Sequence, residues 1–420
     1  MFERAYRQRL EADLARWQSE GVITPAIGDA IRGSLAPLGS GINIAVVVGI
    51  LGGLLIAAAF LAFVAANWSE IARPLRFSIL LAGIAGSHGV GIAFARAERP
   101  ILADLAASVG AIIFGAAIAL VGQMYHLGDD FAGGMLLWAG GALAAATLTG
   151  SRGALAVALV AGSLWSGARM SNEADLAPLS FGLFWSYAAA LALWWNSRLA
   201  AHLVAIAALV WWINTVILAP YSGAPAPLTV VGGAALMLGA GLLLENATSV
   251  SLIGFGTTLS TYGAFALAGV AAAAAAVSND VAEVFSAPPA WANVCGGVGT
   301  LLALTAGALA RRIGSAAAGL AIALILIVAN WLVQSRTGEP WVAYALELAS
   351  MLCLVVSGML EGARPRIVAG WLGLAAIIAS ITWAVKGSLL RRSIFLATAG
   401  ASAIVLAILL GRLFPREARS

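Results

Sequence analysis

One acidic residue, Glu347, lies inside a long apolar run and is the residue best suited to bind a ligand or an ion. It falls about two turns from the outer end of the twelfth predicted membrane span. An ionised side chain inside a membrane span costs about 2.5 to 3.5 kcal/mol on insertion scales. Glu347 must therefore hydrogen-bond, pair with a cation or stay protonated. Tyr344 lies one helical turn away on the same side.

Other polar side chains are predicted for the same outer half of the membrane. Asn67 and Asn330 occupy matching places in FVAANWSE and LIVANWLV, where an Asn-Trp pair ends a span, and the string MYHLGDDF supplies groups for acid-base chemistry, a weak metal site or a structural turn. If the helices meet, these side chains line an outward-facing polar cavity; if not, Glu347 pairs with an outer arginine. Besides Glu347, the ligand-binding candidates here are Asn67, Gln123, Tyr125, His126, Asp129, Asp130 and Asn330.

Three basic residues are grouped in one predicted outer loop, AVKGSLLRRS, against the usual distribution of positive charge. Lys386, Arg391 and Arg392 could bind an anion or a lipid headgroup. The alternative is an interfacial salt bridge to Asp129 and Asp130.

A histidine and an aspartate are predicted to face each other in the inner half of the membrane. His88 lies in the second predicted span and Asp104 about one turn into the third. Imidazole groups can gain and lose a proton in the physiological pH range, so this pair could relay a proton. A structural hydrogen bond between the two side chains is the alternative.

The elements that must position these residues are membrane helices. Of the 420 residues, 61% are hydrophobic and 10% are charged, and the mean hydropathy is +0.96. A soluble domain carries about 25% charged residues. This composition excludes a soluble enzyme, a nucleic-acid module and a disordered scaffold, and it predicts an all-α, polytopic integral membrane helix bundle.

The apolar runs predict about fourteen transmembrane helices. They divide the chain into a cytoplasmic amphipathic helical hairpin (1–42), a transmembrane domain (43–413) and a cytoplasmic tail (414–420). The predicted spans are 43–66, 75–95, 100–122, 131–149, 153–168, 178–195, 199–219, 227–244, 251–276, 291–310, 313–334, 340–360, 366–384 and 393–413.

Most of the 23 lysines and arginines fall on one side of these spans, which places both termini in the cytoplasm. The hairpin has its second helix at about 24–33, with Thr24 and Pro25 as the start signal. It is either an interfacial anchor or an element that binds a cytoplasmic protein partner.

The ninth predicted span combines glycines with a run of hydroxyl side chains, Thr257 to Thr261. Small and hydroxylated residues allow close helix packing. The alternative is a broken helix whose free backbone groups bind a substrate. GGVGT at 296–300 lacks the lysine of a phosphate-binding loop, and the sequence predicts neither a cofactor nor a metal site.

Two segments carry a family resemblance: VAANWSEIARPLRFSILL and GAAIALVGQMYHLGDDFAGGMLLWAGGALA. With Trp17 and the turn Gly21 to Thr24, they resemble the bacterial predicted-membrane-protein family catalogued as domain of unknown function 2157, over roughly residues 10–150. KGSLLRRSIFLATAG resembles the closing segment of related multispan proteins. The resemblance implies a multispan topology, and it assigns no activity and no catalytic residue.

These observations favour a protein of the bacterial inner membrane that transports a solute or handles lipids or envelope precursors, with a small-molecule or lipid ligand. The first alternative is a non-transporting scaffold or sensor that binds a cytoplasmic partner through its N-terminal hairpin. The second is an intramembrane enzyme that acts on an envelope lipid through Glu347 or His126. Membrane lipids are expected partners, and nucleic acid is not.

Overall fold

A computed structural model describes residues 2–34, 72–125, 130–172, 178–218, 226–277, 290–334 and 341–384, together with the isolated positions 52, 55 and 59. Within these ranges the chain forms fourteen α-helices and no strand. The helices are α1 (Phe2–Ser19), α2 (Pro25–Ser34), α3 (Arg73–Arg96), α4 (Pro100–Tyr125), α5 (Phe131–Thr149), α6 (Arg152–Asn172), α7 (Pro178–Trp194), α8 (Arg198–Leu218), α9 (Ala226–Leu244), α10 (Val250–Val277), α11 (Ala290–Ala310), α12 (Ile313–Gln334), α13 (Trp341–Glu361) and α14 (Arg364–Ala384).

Ten of these described helices are long and apolar enough to cross a membrane, and α7 and α9 have shorter apolar cores. Helices α3 to α14 coincide with the predicted spans from the second to the thirteenth, with each end within four residues of its predicted place. The helical prediction is therefore confirmed for this part of the chain. The predicted spans 43–66 and 393–413 lie outside the described residues, apart from the three isolated positions.

The chain divides into two compact units, residues 1–113 and 114–420. In the first unit, α1 ends before Gly21, whose positive φ of 71° turns the chain. Helix α2 begins at Pro25, and the Thr24 carbonyl accepts a hydrogen bond from the Ile27 N–H at 3.1 Å. Leu14 is fully buried. The predicted start of the second helix at Pro25 is confirmed, whereas capping by the Thr24 side chain and the place of this hairpin on the cytoplasmic face stay predictions.

In the second unit, small residues bring helices into close contact. Helix α9 packs against both α10 and α11, α13 packs against α12 and α14, and α10 packs against α14. A Cβ added to Gly241 on α9 would lie 2.7 Å from the Gly256 carbonyl oxygen on α10, so there is room for a hydrogen atom only. Close approach of this kind stabilises membrane helices through van der Waals contact.

Helix α10, which carries the hydroxyl-rich run, is continuous from Val250 to Val277. Three of its threonine hydroxyls donate to the carbonyl four residues earlier, as unbroken membrane helices permit. The close-packing interpretation of the ninth span is confirmed, and the broken-helix alternative is wrong because no backbone group in this stretch is freed from the helix.

The contact between α9 and α11 gives a direct stability test. A Cβ at Gly299 would lie 2.7 Å from the Leu236 nitrogen and still closer to the Ala235 carbonyl, whereas a Cβ at Gly297 meets nothing within 4 Å. We expect Gly299→Ala to lower the free energy of unfolding by about 1 to 3 kcal/mol through overpacking. The matched Gly297→Ala variant should be neutral or slightly stabilising, since alanine favours helix.

Thermal unfolding in detergent, followed by tryptophan fluorescence, measures both variants. Equal unfolding temperatures for the two proteins would contradict the α9–α11 contact.

Candidate functional site

Glu347 lies on the buried face of α13. That face is continuous along the helix and also includes Tyr344, Ser350 and Leu354, each three or four residues from the next. The Ser350 hydroxyl donates to the Ala321 carbonyl on α12 at 2.8 Å. The helix therefore turns this face towards its neighbours in the bundle and away from lipid.

The Glu347 carboxyl group is fully buried, with 0% of the residue exposed. Neither carboxyl oxygen has a hydrogen-bond partner among the described residues. Tyr344 is 3% exposed, and its ring packs edge-on against Trp341 with centroids 6.0 Å apart. A carboxyl group in such surroundings lacks the hydrogen bonds that normally offset the loss of water.

Asn330 forms a reciprocal amide pair with Asn293. Asn330 Nδ2 donates to Asn293 Oδ1 at 3.0 Å, and Asn293 Nδ2 donates back to Asn330 Oδ1 at 3.1 Å. Asn330 Nδ2 also donates to the Leu326 carbonyl at 2.9 Å. Both N–H groups of Asn330 are therefore used, one in joining α12 to α11 and the other within α12. A ligand could hydrogen-bond to the Asn330 amide only if the pair with Asn293 were broken. The role of Asn330 in ligand binding stays a prediction.

The described part of the predicted outer loop is a helix cap. Asp130 Oδ1 accepts a hydrogen bond from the Gly133 N–H at 2.7 Å at the start of α5. Gln123 and Tyr125 are exposed in the last turn of α4. The remaining candidates of the outer half lie outside the described residues: Asn67, His126, Asp129, Lys386, Arg391 and Arg392. The outward-facing cavity therefore stays a prediction.

His88 packs over a glycine of α4. A Cβ at Gly110 would lie 2.9 Å from His88 Nε2, so the absent side chain makes room for the imidazole. Gly110 is six residues, or about 9 Å, further along α4 than Asp104. A proton relay between His88 and Asp104 stays a prediction.

A buried ionic cluster joins the ends of three helices in the second unit. Glu245 directly follows α9, Glu361 is the last residue of α13, and Arg366 lies in the first turn of α14. Gly362, with φ of 66°, ends α13 and allows α14 to begin two residues later. This short connection brings Glu361 and Arg366 side by side.

Arg366 is the centre of this ionic cluster. Its Nη1 donates to Ser357 Oγ at 2.9 Å, and its Nη2 donates to Glu245 Oε2 at 3.4 Å. The same Nη2 lies 2.8 Å from Glu361 Oε2, an ion pair without hydrogen-bond geometry. The side chains are 4% exposed for Arg366, 11% for Glu245 and 8% for Glu361. All three charges are therefore largely removed from water.

Each of the two carboxylates also accepts a hydrogen bond from a serine, and the two serines lie on two further helices. Ser260 on α10 donates to Glu245 Oε1, and Ser315 on α12 donates to Glu361 Oε1 at 2.7 Å. A Cβ at Gly314 would lie 2.6 Å from the Glu361 Cγ, so this glycine leaves the space that the glutamate fills. Five helices, α9, α10, α12, α13 and α14, thus converge on one charged cluster.

Arg364 and Arg366 were counted only among the basic residues that indicate orientation, and neither glutamate was predicted as a site residue. A usable signal was present, because Glu245 and Glu361 both end even-numbered predicted spans and so fall at the same end of the bundle. Charges at the same end of adjacent spans are candidates for pairing.

A cavity of about 310 Å³ lies beside the cluster. It is lined by Glu245, Thr257, Ser260, Thr261, Gly362, Ala363, Arg364, Pro365 and Arg366. Among the described residues, no three His, Cys, Asp or Glu side chains are grouped as metal ligands would be. The cavity instead combines one carboxylate, three hydroxyl groups and two guanidinium groups.

Comparison with known proteins finds a family model that matches part of the chain and describes no activity. Residues 15–155 match the family model described as Predicted membrane protein (DUF2157). The match runs from α1 to the start of α6 and confirms the resemblance of this region. No curated protein matches the chain. No solved structure matches it either.

Proposed function

We propose that this predicted membrane protein transports a small solute, or an envelope precursor, across the bacterial inner membrane. Glu347 is the group that binds the transported species or its coupling cation. The observation that supports this proposal is the fully buried carboxyl group without a hydrogen-bond partner among the described residues. An intramembrane ionisable residue of this kind is a functional candidate by default.

The contrast with the Arg366 cluster supports a functional role for Glu347. There, each buried carboxylate has a serine donor and a guanidinium partner. Glu347 has neither among the described residues. A carboxyl group retained without such partners destabilises the fold, and such groups persist where binding or catalysis requires them.

The position of Glu347 along α13 agrees with a binding site that a solute reaches from the outer side of the membrane. Glu347 and Glu361 are 14 residues apart on this helix, or about 21 Å. The hydrocarbon core is about 30 Å thick, so Glu347 lies in the half opposite the Arg366 cluster. The predicted cytoplasmic location of both termini would put the cluster at the inner end of the bundle and Glu347 in the outer half.

Uptake by sealed vesicles tests the proposal. Right-side-out membrane vesicles with wild-type protein, with Glu347→Gln or without the protein are energised and supplied with a bacterial small-molecule extract, and their contents are compared by untargeted mass spectrometry. We expect at least one solute to accumulate about tenfold more with the wild type, a difference of about 1.4 kcal/mol. Glu347→Gln should remove this accumulation while leaving protein yield unchanged.

Glu98→Gln is the matched control, because Glu98 is exposed in the connection between α3 and α4. It should accumulate the same solute as wild type. If no solute distinguishes wild-type vesicles from empty ones, transport is contradicted. The scaffold or sensor alternative then predicts that deletion of residues 1–35 removes function and that Glu347→Gln is silent.

A further inference from the structure

The wall of the cavity formed by Glu245, Thr257, Ser260 and Thr261 presents hydrogen-bond acceptors rather than donors. The Thr257 hydroxyl donates to the Ile253 carbonyl at 2.9 Å, and the Thr261 hydroxyl donates to the Thr257 carbonyl at 2.7 Å. The Ser260 hydroxyl donates to Glu245. Each hydroxyl has a single proton, which is already engaged, so only oxygen lone pairs remain for a ligand. With the Glu245 carboxylate, this wall of the cavity suits a cation that carries N–H donors.

Opposite charges occur at separate places on the cavity lining. The carboxylate of Glu245 is 11% exposed beside the threonines, whereas Arg364 is exposed at the start of α14. Arg366 is directed to Ser357 and the two glutamates. The cluster and Arg364 together contain two carboxylates and two guanidinium groups. A ligand with separated positive and negative groups and no net charge preserves this balance.

The cavity lies where the helices end, at the level of lipid headgroups. Helix α9 ends at Leu244, α13 ends at Glu361, and α14 begins at Arg364. The ends of membrane-spanning helices lie in the interface between hydrocarbon and water. A phospholipid headgroup reaches this level while its acyl chains remain in the bilayer.

We infer that this cavity binds the headgroup of a phospholipid that carries a primary ammonium group, with the ammonium on Glu245, Thr257 and Thr261 and the phosphate on Arg364. Phosphatidylethanolamine has this chemistry. Phosphatidylcholine has the same charges but no N–H donor, so the hydroxyl and carboxylate acceptors can distinguish the two lipids. This inference does not depend on the role of Glu347.

Native mass spectrometry of the full chain tests the inference. Protein stripped of lipid in detergent is mixed with short-chain phosphatidylethanolamine, phosphatidylcholine or phosphatidylglycerol, and dissociation constants are obtained from the bound fractions. We expect phosphatidylethanolamine to bind about tenfold more tightly than the other two, as the loss of charge-assisted hydrogen bonds implies. Equal affinity for the ethanolamine and choline lipids would overturn the inference.

Variants locate the site. A Thr257→Val, Thr261→Val double variant keeps side-chain shape and removes two acceptors, and Glu245→Gln removes the charge; each should abolish the preference for ethanolamine. Thr149→Val is the control, because Thr149 donates to the Ala145 carbonyl in the same way but is exposed at the end of α5. A preference that survives in the double variant would place the lipid elsewhere and overturn the assignment.

The source of the headgroup is tested with a soluble competitor. Glycerophosphoethanolamine contains the same ammonium and phosphate groups without acyl chains. A much weaker affinity for it than for the lipid supports a lipid site. An equal affinity would show that the cavity takes a water-soluble zwitterion and would overturn the lipid assignment, while the vesicle test of Glu347 would be unaffected.

Discussion

Replacing Arg366 with alanine is expected to lower the free energy of unfolding by about 3 to 5 kcal/mol, a large part of the stability of a typical protein. The guanidinium group holds two carboxylates that are 11% and 8% exposed, and alanine would leave both without their cation. Uncompensated charge in such surroundings is costly. The bundle should therefore unfold at a markedly lower temperature, which tryptophan fluorescence in detergent will measure.

Two neighbouring substitutions make this test specific. Arg364→Ala removes the same kind of side chain from an exposed position two residues earlier, and it should change stability little. Arg366→Lys keeps the charge but cannot reach Ser357 and both glutamates at once, so its unfolding temperature should lie between the two. If Arg366→Ala and Arg364→Ala unfold together, the cluster does not hold the helices.

The cluster also shows why sequence reasoning located the helices better than the contacts between them. Helices α3 to α14 follow from the lengths of apolar runs, because each span must satisfy its backbone inside the membrane. The pairing of Glu245 with Arg366 joins residues 121 positions apart and depends on α10 packing against α9 and α14. The predicted topology puts these charges at the same end of the bundle, but no local pattern shows which of them pair.

Asn330 and Glu347 show which structural features the local sequence can predict and which it cannot. The repeated Asn-Trp pair pointed to Asn330 as a candidate residue. Its observed hydrogen-bond partner is Asn293, which lies near the start of α11 and was not predicted from the sequence. Glu347, by contrast, was identified from a single charge in an apolar run, and it is buried on α13. Burial of a lone charge can be predicted locally, whereas the identity of a partner requires the tertiary structure.

Replacing Glu347 with leucine is expected to stabilise the protein and, under the transport proposal, to abolish uptake. Leucine has a similar volume and suits the apolar face that contains Leu354. The substitution removes two buried oxygens that lack hydrogen-bond partners among the described residues. Removing a buried polar group without a hydrogen-bond partner raises the free energy of unfolding by about 1 to 3 kcal/mol, so the unfolding temperature should rise. Vesicle uptake should fall to the level of empty membranes.

Opposite changes in stability and uptake are what separate a binding carboxyl group from a structural one. A group selected for function commonly reduces stability, and its removal then raises stability at the expense of activity. Glu347→Gln retains the shape and provides the control for polarity; it should also lose uptake but gain less stability than Glu347→Leu. If Glu347→Leu instead unfolds at a lower temperature, as Arg366→Ala should, Glu347 has a structural partner and the transport proposal loses its supporting observation.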